Sequence, residues 1–192
     1  MLQNDQKIAE ILDAALPVFV RYGFRKTTMA DIAQAAGISR ASLYLAFSNK
    51  EQLFRAGAAR AHTDAMHAVS LALAGQGDVL TRIEAAVMTF QRNLIAPFGN
   101  SAEMADLFNA GTSLAEDIIL GTRAQLLEQL RSHLSKAEEN KEIDLSRIGA
   151  KPDEVAGMIV AATDGIKHIQ GAGAALEDGT RLLIRILRAA VT

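Results

Sequence analysis

Apolar residues along this chain recur at spacings of three and four and nowhere alternate with a period of two, a pattern that predicts helices and no sheet. The first helix is expected from about Asp5 to Tyr22, where Ile8, Ile11, Leu12, Ala15, Leu16 and Phe19 share one stripe. Gly23 follows at a C-cap position, and Pro17 inside the segment should remove a backbone bond and kink the helix. Three capping boxes mark further starts, each a hydroxyl with an acid three residues later: Thr28-x-x-Asp31, Ser48-x-x-Glu51 and Ser113-x-x-Glu116. Two short helices, Met29–Ala35 and Arg40–Phe47, fall between the first two boxes.

The next helix should run from Asn49 to about Leu73 and stop at Gly75-Gln76-Gly77. Another covers roughly Asp78 to Ala96 and ends before Pro97 and Gly99-Asn100. A shorter one follows Ser101 to near Asn109, and a long one follows Ser113 to about Asn140. A polar connection, Lys141 to Lys151, carries a turn signal at Gly149. Pro152 then suits a first helical position, with Asp153 and Glu154 against the positive helix end, and that helix reaches Gln170. Gly171-Ala172-Gly173 separates it from a last helix over about Ala175 to Ala190. The expectation is an all-α chain of nine helices, without internal repeats.

Composition supports this and narrows the chemistry. Three prolines in 192 residues leave room for long helices. No cysteine is present, which excludes disulfides, a thiolate nucleophile and Cys-ligated metal. Four histidines are scattered, and the closest pair, His62 and His67, is wrongly spaced for two ligands on one helix face. Acidic pairs such as Glu116-Asp117 and Glu138-Glu139 are adjacent in sequence and read as solvated. No phosphate-binding glycine loop or nucleophile elbow occurs, so neither an enzyme nor a bound cofactor or metal is expected. The longest apolar run, Val155 to Ala162, is far short of a membrane span, and the polar start Met1 to Lys7 does not resemble a signal peptide. A soluble cytoplasmic protein follows as the expectation.

The formal net charge of −2 argues against a nucleic-acid partner until it is divided along the chain. Residues 1–60 carry eight Lys/Arg against five Asp/Glu; residues 61–192 carry twelve against seventeen. A basic head on an acidic body suggests two tasks. Between residues 25 and 50, Arg25, Lys26, Arg40 and Lys50 face Asp31 alone, a balance suited to phosphate contact.

That basic stretch has the spacing of a helix-turn-helix over residues 28–47. Ala33 supplies a small residue where two helices cross steeply, and Gly37 a turn residue free to adopt positive φ. Ile32, Ile38, Leu43 and Phe47 should seal the pair against the first helix, and Ser39 can cap the second. Arg40, Ala41, Ser42, Tyr44 and Leu45 would then face outward, where such a helix enters the major groove.

Tyr22-Gly23-Phe24-x-x-Thr27-Thr28, Ile32-Ala33-x-x-Ala36-Gly37-Ile38-Ser39 and Leu43-Tyr44-x-x-Phe47-x-x-Lys50-Glu51-x-Leu53 resemble the N-terminal signature of TetR/AcrR-type transcriptional regulators. The resemblance covers a DNA-binding domain over residues 5–65 and implies a helical ligand-binding and dimerisation domain over 66–192. It implies a homodimeric, sequence-specific repressor on a pseudo-palindromic operator in double-stranded DNA, released by a small-molecule effector. By position, Thr27, Thr28, Tyr44 and Lys50 should hold phosphates, and Ser39, Arg40, Ala41 and Ser42 should lie near bases. Many relatives have Gly where Ala41 stands and His or an aromatic at positions 45 or 46, where this chain has Leu and Ala. Base reading is therefore expected from Arg40 toward guanine and from Ala41 or Leu45 toward a thymine methyl. A non-specific architectural DNA binder is the alternative, but such a protein should be basic throughout.

In the body, Val155, Ile159, Ala162, Ile166 and Ile169 make one stripe, and Leu182, Leu183, Ile186, Leu187 and Ala190 another. Flanking small residues allow close approach on a second face, so these helices are the expected dimer interface, with the face left open. The resemblance also implies an effector pocket. Its candidate apolar walls are Met66, Phe90, Phe98, Phe108 and Met158, with His62, Arg92, Asn93 and His133 as polar anchors.

Overall fold

A computed structural model describes residues 2–94, 102–170 and 174–192, and within these the side chains other than those of 2–4, 102, 104, 105, 108 and 167–170. The described residues form nine α-helices and no strand: α1 (Leu2–Lys26), α2 (Met29–Ala35), α3 (Arg40–Ala46), α4 (Lys50–Leu73), α5 (Val79–Leu94), α6 (Ala102–Leu114), α7 (Glu116–Glu139), α8 (Pro152–Gln170) and α9 (Ala174–Val191). One 3₁₀ turn, Leu145–Ile148, lies in the polar connection and ends at Gly149, whose φ of 63° is the predicted left-handed turn.

The chain divides into two compact units: a head of Met1–His62 with Phe98–Ile119, and a body of Thr63–Pro97 with Leu120–Thr192. Ile11, Ala15, Phe19, Ile32, Ala33, Leu43, Phe47, Leu53 and Leu107 form the core of the head, so α1 and the two short helices close on one another, but Leu16 of the predicted stripe is 61% exposed because it lies off the face that packs. Phe24 stacks on Phe19 and Phe54 meets it edge-on, with ring centroids 5.9 and 5.4 Å away, and Phe24 and Phe54 themselves lie 5.1 Å apart. The body closes on aliphatic side chains, among them Val69, Leu73, Leu80, Ile83, Val87, Leu130, Leu134, Ile159 and Ile184.

Four local expectations are corrected. Inside α1 the backbone leaves helical dihedrals at Gly23 (φ 76°, ψ 170°) and not at Pro17. The start of α4 is capped by Asn49, whose Oδ1 accepts from Gln52 N at 2.7 Å, while Ser48 donates its N–H and hydroxyl to Gln52 Oε1. The box expected at Ser113 does not form. Ser113 lies inside α6 with its hydroxyl on the Ala110 carbonyl at 3.2 Å, and α6 extends past Asn109 to Leu114. The chain breaks expected at Pro97, Gly99-Asn100 and Gly171-Ala172-Gly173, and the start at Ser101, lie outside the described residues.

Candidate nucleic-acid interface

The site is built on two caps and one turn. Thr28 caps α2 in a full box: its hydroxyl accepts from Asp31 N at 3.2 Å, and its own N–H donates to Asp31 Oδ2 at 2.9 Å. The hydroxyl bond from Thr28 and then its N–H hold the Asp31 carboxyl below the ordinary carboxylate range. Gly37 takes φ 64° in the turn, and Ser39 caps α3 by accepting from Ser42 N at 3.0 Å. With both helix starts fixed, α3 has one settled face. Leu43 is fully buried and the following Phe47 nearly so, leaving Arg40, Ala41, Tyr44 and Leu45 exposed on the opposite side.

Leu45 is 89% exposed and Tyr44 46%. A leucine that open, beside a tyrosine and an arginine on a capped helix, presents contact area that the chain itself leaves uncovered. Ser42 is half-buried, with its Oγ on Ser39 Oγ at 2.9 Å. Arg25, Lys26 and Thr28 are exposed at the joint between α1 and α2.

Two further candidates sit differently. Thr27 is buried, and its hydroxyl donates to the Gly23 carbonyl at 2.7 Å, which ties off the carbonyl just beyond the break. Lys50 turns its ammonium onto the joint, with Nζ donating to the carbonyls of Phe24 at 2.7 Å, Thr27 at 2.9 Å and Arg25 at 3.3 Å. The same Nζ stands 4.4 Å from the Phe24 ring centroid, a cation–π contact. Sequence reasoning missed Asp106 on α6, which accepts from Arg25 N at 2.9 Å and pairs with Arg25 Nε at 3.1 Å. No local signal marks it, because its partner lies 81 residues away.

The remaining candidates lie apart from this face. Met66 is in the core and Phe90 packs against it, whereas Met158 is 61% exposed. Arg92 lies on the surface in a bidentate pair with Glu177, at 2.8 and 2.9 Å. Asn93 donates to the Thr89 carbonyl at 2.8 Å, and His133 Nδ1 lies 2.9 Å from the Gln129 carbonyl. Burial of His62, half covered on α4, lowers its pKa by disfavouring the charged ring. Phe98 and the side chains of Phe108 and Ile169 lie outside the description.

Sequence reasoning also passed over Gln91. It is buried, its Nε2 donates to Thr180 Oγ1 at 2.7 Å, and its Oε1 has no hydrogen-bond partner among the described residues. Among the described residues, no group of three metal-ligating side chains occurs, and no helix is long and apolar enough to cross a membrane.

The stripes of α8 and α9 divide between inside and outside. Val155 and Ile159 are buried in the core, and Ala162, Ile166, Leu183 and Leu187 are partly covered. The open apolar side chains are Met158 on α8 and Leu182 and Ile186 on α9, with small exposed neighbours Ala161, Gly165 and Ala189.

A capped pair of short helices that turns an uncovered, partly basic face outward defines the helix-turn-helix class of DNA-reading heads. Residues 11–56 match the family described as bacterial regulatory proteins, tetR family. The chain is 51% identical over 52 residues to the uncharacterised HTH-type transcriptional regulator YfiR of Bacillus subtilis, covering 27% of this chain and 25% of that protein. It is 44% identical over 48 residues to the HTH-type transcriptional regulator TtgR of Pseudomonas putida, covering 25% of this chain and 23% of that protein. The chain thus spans about a quarter of the length of these relatives. Over most of its length it shares a fold with SmeT, the repressor of the Stenotrophomonas maltophilia multidrug efflux pump SmeDEF. That match has a TM-score of 0.69 at 22% identity and covers 96% of this chain and 90% of the other.

Proposed function

We propose that this chain is a sequence-specific transcriptional regulator, a cytoplasmic homodimer that reads a pseudo-palindromic operator and is released from it by a small-molecule effector. One observation carries the reading: α3 is capped, sealed on one side by Leu43 and Phe47, and open on the other at Arg40, Ala41, Tyr44 and Leu45. Arg40 suits the two acceptors of guanine, and Ala41 and Leu45 a thymine methyl. Arg25, Lys26 and Thr28 supply phosphate contacts beside them, with Tyr44 at the edge. Regulators of both signs use this chemistry; repression follows from an operator that the dimer covers.

The exposed row Met158, Leu182 and Ile186 supports an isologous interface, since two copies would bury it as a four-helix contact with Ala161, Gly165 and Ala189 allowing close approach. Light scattering on the dilute protein is expected to give about twice the 20.5 kDa chain mass, and the double variant Leu182→Glu, Ile186→Glu a single one. A single-chain mass for the unaltered protein would remove the dimer from the account.

The effector is proposed to bind in the body, where Gln91 Oε1 offers a buried acceptor to a ligand donor. Its binding would shift the dimer toward a head separation that fits the operator less well, acting through α4, and this requires different affinities for the two states. Selection of bound duplexes from a random pool tests the reading. It should return two related half-sites about 34 Å apart or a multiple of that spacing. Selected duplexes without a common sequence would point to architectural binding instead.

A further inference from the structure

The joint between α1 and α2 is gripped from two sides by charges of opposite sign. Lys50 on α4 donates to three carbonyls of the segment, those of Phe24, Arg25 and Thr27. Asp106 on α6 accepts the segment's N–H at Arg25, 2.9 Å away, and pairs with the guanidinium of the same residue. An ammonium therefore holds the acceptors and a carboxylate holds a donor, and the segment between them has little freedom to shift. Gly23 makes the second grip possible. Its φ of 76° disfavours any side chain, and a Cβ there would lie 2.8 Å from Asp106 Oδ2.

We infer that Asp106 is a positioning residue for DNA binding, which fixes from α6 the joint that presents Arg25, Lys26 and Thr28 to phosphates. The inference rests on the DNA-reading function proposed above. Its working contact is the backbone bond and not the side-chain pair. The Arg25 side chain is 85% exposed, so its ion pair with Asp106 contributes little in water and exchanges readily for a phosphate. The N–H stays on the carboxylate when the guanidinium leaves, and a charged acceptor makes that bond stronger than a neutral one. Asp106 thus acts on affinity for every duplex alike, while base preference remains with α3. Within the head it ties α6 to the joint between α1 and α2 across 81 residues of chain.

The test uses the full chain and a duplex selected by the wild-type protein, with two readouts: hydrogen exchange at the Arg25 amide and duplex affinity against salt. Asp106→Ala is expected to speed exchange at that amide and to weaken duplex binding, each by about tenfold, the size of one hydrogen bond to a charged group. Its salt slope should match that of the wild type, whereas Arg25→Ala lowers the slope by about one phosphate contact. Asp106→Asn keeps a neutral carbonyl acceptor and should recover part of both losses. If wild type binds its duplex and Asp106→Ala binds as tightly or more tightly, the inference is overturned. Equal protection of the Arg25 amide in Asp106→Ala and wild type would overturn it as well. If the wild-type chain selects no duplex at all, the DNA-reading function fails first, an outcome distinct from either of these.

Discussion

The head and the body bury amphipathic helices with different materials. In the head, α1 and the start of α4 bring Phe19, Phe24 and Phe54 together, and the starts of the short α2 and α3 and of α4 are fixed by Thr28, Ser39 and Asn49. In the body, long helices close on an aliphatic core, and ion pairs join distant segments, among them Arg188 with Asp78, Arg92 with Glu177 and Arg123 with Asp164. A short helix with a defined cap has one possible inward face, so its outward face is specified too. A long helix with apolar residues on several sides has more than one face to bury. The head therefore fixes a recognition surface residue by residue, whereas the body fixes a core and leaves its outer apolar side chains to whatever covers them.

The largest expected effect tests whether the recognition face depends on the packing beneath it. Leu43→Ala should lower stability by about 2–5 kcal/mol and abolish duplex binding, because the fully buried Leu43 anchors α3. Leu134→Ala, an equally buried leucine of the body, should carry a similar stability cost while duplex binding persists below its unfolding midpoint. Denaturant titrations paired with binding assays check both, and duplex binding that survives Leu43→Ala would break the contrast. Next comes Arg40→Ala, which should cost about 1–3 kcal/mol on the selected duplex and relax preference at one base pair. Affinity for every single-base variant of the site reads this out.

Smaller effects separate the caps of the head from the ion pairs of the body. Thr28→Ala should cost about 1 kcal/mol of stability through loss of the α2 cap. Thr28 also holds the Asp31 carboxyl below its ordinary value, which adds a separate contribution present above the ordinary carboxylate range and lost as pH falls through the lowered value. The variant should show a flatter acid limb in a stability–pH profile. Asp78→Asn should have the smallest effect, about 0.5 kcal/mol, because the pair with Arg188 is more than one-third exposed and screened by water. The Arg188 guanidinium holds Asp78 well below the carboxylate range, so this contribution also disappears on acidification and is absent from the variant.

How much was legible in the sequence follows the separation of the interacting residues. The Thr28 box, the Gly37 turn and the Ser39 cap depend on residues within three or four positions, and each forms as its spacing predicts. The Lys50 and Asp106 grips depend on which helices meet across 23 to 81 residues, and no local pattern encodes that. Ser113 shows the reverse failure: a hydroxyl with an acid three residues later also suits a helix interior, where it bonds back to a carbonyl. On α8 the stripe expected at the dimer interface turns Val155 and Ile159 into the core, while Met158, outside that stripe, faces out. Periodicity gives a set of faces, and only packing decides which of them is buried.

The central claim is that the open face of α3 reads DNA sequence. Competition between the selected duplex and a scrambled duplex of equal length, at physiological salt, tests it most directly. The account predicts that the selected duplex binds on the order of a thousandfold tighter or more, with the preference reduced by Arg40→Ala. Equal affinity for the two duplexes would contradict it.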